Sequence, residues 1–146
     1  MKKTFIIALF AFVGTICCNA QIDKIVGDWI TVDDNTGQDM SVVHIYKAKD
    51  GKYYGKITQL LVPGHENELC VECKGADKDK PIKGMIIIRG MEEKNGELVN
   101  GTVLDPDNGK TYYAKISYDK DKNQLKLRGS LDKAGLLGRS QYWKKK

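Results

Sequence analysis

The densest chemistry in the chain is His65-Glu66-Asn67-Glu68-Leu69-Cys70-Val71-Glu72-Cys73. Two cysteines with two residues between them admit three readings. A redox pair needs a thiol of lowered pKa, which such motifs achieve at a helix N-terminus. Here Glu66, Glu68 and Glu72 crowd the motif, and neighbouring carboxylates raise a thiol pKa. A metal site is the second reading, with His65, Cys70 and Cys73 as three ligands and Glu66, Glu68 or His44 as a fourth. No second Cys-x-x-Cys completes a zinc pattern. The third reading, a local Cys70–Cys73 disulfide, is the one expected, provided that the segment turns tightly enough to bring the sulfurs together.

Other reactive patterns fall away on inspection. Asp105-Pro106-Asp107-Asn108-Gly109 alternates carboxylates as a calcium loop does. Its twelfth position is Ile116 rather than Glu, and Asp33 to Asp39 fails in the same way at His44. Gly-x-Ser-x-Gly, the phosphate-cradling Walker loop and His-Glu-x-x-His are all missing. The chain has two histidines. No motif asks for a cofactor, and none commits the chain to catalysis.

A binding site is easier to assemble. If Trp143 faces inward on a strand, period two turns Gln141 and Arg139 inward with it. The same phase from Trp29 turns Thr31 and Asp33 inward, and Ile30 and Val32 outward. Tyr112 and Tyr118 share a face with Ala114 and Ile116. Such aromatic and polar groups suit the lining of a pocket for a small, mainly apolar ligand. The competing reading of Arg139 is a structural clasp, its guanidinium stacked on Trp29.

These residues need strands to hold them. Turn signals recur at Asp33–Gly37, Lys49–Gly51, Pro63-Gly64, Lys94–Gly96, Asp105–Gly109 and Asp119–Asn123. Asn-Gly and Asp-Gly supply the positive φ that tight hairpins require. Between them lie runs rich in Val, Ile, Thr and Tyr, which favour pleated structure. Eight strands are expected, at about residues 27–33, 40–47, 53–62, 84–91, 97–104, 110–118, 124–130 and 138–144. No sustained apolar period of 3.6 residues marks a major helix after residue 20. Sequential hairpins favour closure into an up-and-down barrel, which removes sticky edges. A two-sheet sandwich is the alternative. Pro63 to Lys83 is far longer than a hairpin needs, and it is expected to lie over one end of the barrel.

The first twenty residues read as an address. Lys2 and Lys3 precede the apolar run to Ile16, and Cys18-Asn19-Ala20 forms a cleavage site before Gln21. Residues 1–20 are thus expected to be a signal peptide and 21–146 a single barrel domain, exported to the periplasm or secreted. Lipidation at Cys17 or Cys18 would want a small residue before the modified cysteine, where Ile16 and Cys17 stand. Composition agrees with one soluble domain: 146 residues, 41% hydrophobic and 29% charged. The net charge of +5 falls to +3 when Lys2 and Lys3 leave with the signal. Without a concentrated basic face, nucleic-acid binding is not expected. No segment after residue 20 is long and apolar enough to span a membrane, and no protein partner can be named.

Gly27-Asp28-Trp29 resembles the Gly-x-Trp element that opens lipocalin-like and streptavidin-like barrels, where the Trp plugs the closed end. In order after it come Tyr54-Gly55-Lys56-Ile57, Pro81-Ile82-Lys83-Gly84-Met85, Leu104–Tyr112 and Leu137–Trp143. Together these segments resemble the exported bacterial family catalogued as domain of unknown function 2147. The resemblance implies an eight-stranded, all-β, lipocalin-like barrel. It carries no activity, substrate or catalytic residue. Ligand binding in the barrel is therefore the expected function. A cell-envelope interaction or structural protein with a filled barrel is the alternative. Thiol-redox or zinc chemistry at Cys70 and Cys73 is a more distant one.

Overall fold

The computed structural model describes residues 19–146. The expected signal peptide lies outside the described residues except for its last two positions. A short helix, α1 (Asn19–Ile25), crosses the expected cut before Gln21. Eight strands follow: β1 (Gly27–Val32), β2 (Asp39–Lys47), β3 (Tyr53–Leu60), β4 (Ile86–Lys94), β5 (Glu97–Asp105), β6 (Lys110–Asp119), β7 (Gln124–Ser130) and β8 (Gly138–Lys145). Each pairs antiparallel with the next, and β8 returns to β1 to close the barrel. The closing seam pairs Trp29 with Lys145 and Ile30 with Lys144. Among the described residues no helix is long and apolar enough to cross a membrane.

Local chemistry explains the turns. Asn95 and Gly96 both have positive φ, 53° and 77°, and join Lys94 to Glu97 in a two-residue hairpin. The Asp33 carboxylate accepts hydrogen bonds from the Asn35 and Thr36 amides and the Thr36 hydroxyl, which folds the β1–β2 turn. Those three bonds hold its pKa below the ordinary value, the Thr36 amide contributing most.

Irregularities in the ladders set which side chains look inward. A register shift between Thr31 and Val32 lets both border the barrel cavity, so Val32 does not simply point outward as strict alternation required. A second shift at Gly55 and Lys56 faces the run from Met85 to Ile88. There Met85, Ile87 and Ile88 are buried while Ile86 stays exposed. Gly55 is glycine because a Cβ would lie 2.7 Å from Ile88 Cδ1.

One half of the barrel is packed solid. Trp29, Ile45, Met91, Leu98, Ile116 and Leu125 are fully buried in it. Each such side chain contributes about 1.5–3 kcal/mol of burial. α1 caps this half, with Ile22 and Ile25 buried and the Ile25 carbonyl accepting the Trp29 indole N–H at 2.7 Å. Strand alternation places the turns β1–β2, β3–β4, β5–β6 and β7–β8 at the opposite end, and that end is open.

Candidate functional site: an open chamber with an acidic mouth

The open half encloses a chamber of about 910 Å³, within the range of small-molecule sites. Its depth is apolar. Ile57, Ile87, Val103, Leu127 and Trp143 come from five different strands and line its wall. Thr31 and Ser41, on β1 and β2, form a hydroxyl pair at 2.8 Å on the same wall. Tyr112 and Asn108 stand higher, joined by a 3.2 Å hydrogen bond from the Asn108 amide.

Of the eight side chains expected to meet a ligand, six border this chamber: Thr31, Asp33, Tyr112, Arg139, Gln141 and Trp143. Trp29 and Tyr118 do not. They pack together in the filled half, with ring centroids 6.4 Å apart, and the Tyr118 hydroxyl donates to Asn123. Their inward phase was readable, but alternation carries no information on height along the barrel axis.

The expected clasp of Arg139 on Trp29 is replaced by a different pair. Lys145 lies over the Trp29 ring, with its ammonium 4.7 Å from the centroid. Arg139 instead reaches across the mouth to Asp34 at 2.9 Å, where Gln141 also donates at 3.1 Å. The Trp143 indole N–H approaches Gln141 Oε1 at 3.5 Å. The inward residues of β8 thus form a graded column, from buried indole to amide to exposed guanidinium.

The long β3–β4 connection helps to build the mouth. Val62, His65, Glu68 and Ile82 from it border the chamber. Cys70 and Cys73 are joined as a disulfide, with Cα atoms 5.3 Å apart, and both are buried. Both sulfurs are therefore in the bridge, and the metal alternative has no thiolate to use. His65 is paired with Glu68 at 3.3 Å. His44 bonds Asp28 at 2.7 Å and stacks on Tyr46. Among the described residues no cluster of His, Cys, Asp and Glu is arranged to hold a metal.

The disulfide segment is seated on the β5–β6 turn. Cys70 Sγ lies 3.4 Å from the Pro106 carbonyl oxygen. A Cβ on Gly109 would overlap the backbone of Glu72 and Cys73, and Gly109 has a φ of 69°. Glycine is required there by both the space and the backbone.

Sequence reasoning missed the acidic character of the mouth. Asp33 and Asp34 arrive on the β1–β2 turn, Glu68 on the β3–β4 connection, and Asp105 and Asp107 on the β5–β6 turn. Asp105 is held by the Asp107 amide and the Asn108 side chain, both at 3.0 Å. The signal was present, since odd-numbered turns of an up-and-down barrel share one end. Asp107 is held above its ordinary pKa by partial withdrawal from water, then by the charges of Asp105, Glu68 and Asp33. The fourth turn, β7–β8, is an apolar lip on which Leu131, Leu136 and Leu137 are 68%, 80% and 67% exposed. Arg128 braces it through the Gly135 carbonyl, and Asp132 caps the Leu136 and Leu137 amides.

The fold is similar to that of Protein HP1028 from the human pathogen Helicobacter pylori, described as belonging to the lipocalin family. The two align with a TM-score of 0.72 at 20% identity, over 83% of this chain and 82% of that one. No curated protein matches the chain in sequence. Residues 27–145, from the start of β1 to the end of β8, match the profile of a family described as uncharacterized proteins conserved in bacteria, DUF2147. The chain, an eight-stranded lipocalin-like barrel, belongs to that bacterial family.

Proposed function

We propose that this protein binds a small, mainly apolar molecule in the open half of its barrel. The observation that carries this reading is the chamber itself. A cavity of about 910 Å³ with an apolar floor and polar groups at its rim is what such a ligand needs. A barrel of eight strands is just wide enough to hold one small molecule or to be filled by side chains, and this one divides between the two. The filled-barrel alternative accounts for the half around Trp29 and leaves the half around Trp143 without a purpose. The buried Cys70–Cys73 bridge supports a structural rather than a redox role for that loop.

The test is native mass spectrometry of protein isolated from its own compartment, paired with titration of a solvatochromic apolar dye. Retained small-molecule mass, or dye binding abolished by Val103→Trp in a folded protein, supports the reading. Dye binding unchanged by that substitution sinks it.

Export is part of the same proposal. The basic, apolar and small-residue sequence ahead of Gln21 supports cleavage there and delivery to the periplasm or beyond. N-terminal sequencing should find Gln21 first. An intact Met1, or a lipid on Cys17 or Cys18, would overturn it.

A further inference from the structure

We propose that the chamber selects a cationic amphiphile, whose apolar body enters the barrel while a protonated amine stays at the mouth. This rests on the reading of the chamber as a ligand site and specifies the ligand's chemistry.

The inference begins with a charge reversal. The chain as a whole is basic, with 24 Lys and Arg against 19 Asp and Glu. The chamber wall is the opposite. It carries the five carboxylates of Asp33, Asp34, Glu68, Asp105 and Asp107 against one guanidinium, that of Arg139. Among the described residues no lysine borders it. Arg139 is engaged by Asp34, and His65 pairs with Glu68. Asp33 and Asp105 accept bonds from their own turns, which fixes their orientation, and in Asp33 those bonds, the Thr36 amide first, hold the carboxyl below its ordinary pKa. Those bonds come from neutral amides, a hydroxyl and a side-chain amide, so the negative charge is not cancelled.

Asp107 stands apart. No cation of the described residues lies within ion-pairing distance of it, although it faces the chamber. Its neighbours Asp105, Glu68 and Asp33 are all acidic and act on it from three separate turns. Like charges held together without a counter-charge disfavour one another unless a cation joins them. A carboxylate ligand would add to this repulsion. A neutral ligand would leave it unchanged. An ammonium group at the mouth would relieve it and donate hydrogen bonds to acceptors already in place.

The geometry also divides the ligand in two. Directly beneath the carboxylates the wall is Ile57, Ile87, Val103 and Leu127, where an unpaired charge would be costly. The charged group must therefore sit at the rim and the hydrocarbon below it.

The experiment titrates the full mature chain with decylamine, decan-1-ol and decanoate at pH 7 in low salt, each below its aggregation concentration. Trp143, which borders the chamber, reports binding by fluorescence. Trp29 in the filled half supplies a constant background. Decylamine should bind about tenfold more tightly than decanol, and decanoate more weakly than either. The advantage of decylamine over decanol should shrink as salt is raised, and Asp107→Asn should narrow it about threefold. Equal affinities, or a preference for decanoate, would overturn the cationic selection while leaving the chamber as a site for apolar molecules. Failure of all three to bind would overturn the chamber reading, and the selection with it.

Discussion

The ammonium of Lys145, at the end of the last strand, sits 4.7 Å above the ring of Trp29 near the start of the first. The two residues are also register partners across the seam that closes the barrel. Trp29 is thus fastened three ways: by burial, by the Ile25 carbonyl and by a cation on its face. Trp29→Ala should cost about 3–5 kcal/mol, as large core truncations do. Lys145→Ala should cost only about 0.5–1 kcal/mol. Urea unfolding of the two variants measures both, and equal losses would contradict the division.

The Cys70–Cys73 bridge closes a ring with a sequence separation of 3, so it removes little chain entropy. Replacing both residues with alanine should leave the barrel folded, at a cost no greater than about 2 kcal/mol. Hydrogen exchange should quicken between Pro63 and Lys83 and stay slow in β5 through β7. Global unfolding of the double variant would show that the loop supports the wall as well as the mouth.

Gly109 makes the opposite prediction. Alanine there must adopt a left-handed backbone and displace Glu72, so Gly109→Ala should destabilise by about 1–3 kcal/mol. Because Glu72 belongs to the disulfide segment, the damage should spread across the mouth. Amide shifts in an NMR spectrum should reach Cys70 and Cys73 while those of Leu98 and Ile116 hold still.

Asp107 gives a pH signature. Its folded-state pKa is raised above the ordinary 3.8, so the folded state holds that proton more tightly than the unfolded chain does. Ionised Asp107 therefore destabilises the fold above its folded pKa. The penalty fades as pH falls through that raised value and is gone below the ordinary one. Asp107→Asn should stabilise the protein at pH 7, by no more than about 1 kcal/mol at so accessible a site. The gain should vanish in acid. Paired melting curves at the two pH values check this, and a gain that persists in acid would remove the electrostatic explanation. The same substitution should weaken amine binding, an exchange of function for stability.

Much of the wall was legible in the sequence because alternation and turn chemistry act locally. Leu125 and Leu127 against Lys126 and Arg128 announce a half-buried strand, and Asn95-Gly96 announces its hairpin. α1 was not legible. Its seven residues are too few for a helical period, and its burial depends on a barrel end that only the closed sheet creates. The partner of Trp29 is Lys145 rather than the expected Arg139 for a related reason. Period two selects every second residue of β8, and only the stagger of closure decides that Lys145 rather than Arg139 reaches the ring. The acidic mouth required the same step, because Asp33, Glu68 and Asp107 are distant in the chain and meet only when its odd turns gather at one end.

The seating of the disulfide segment on the β5–β6 turn has a kinetic consequence. Cys70 against Pro106, and Glu72 against Gly109, weld two of the four rim segments into one jaw carrying Glu68, Asp105 and Asp107. Arg139 and Gln141 tie the Asp34 turn to β8 and form the jaw opposite. Neither jaw must fold or swing for the chamber to be reached, since the aperture stands open with its charges in position. Capture should then be a single encounter, with an observed rate that rises linearly with ligand concentration in stopped flow and no slow phase of closing behind it.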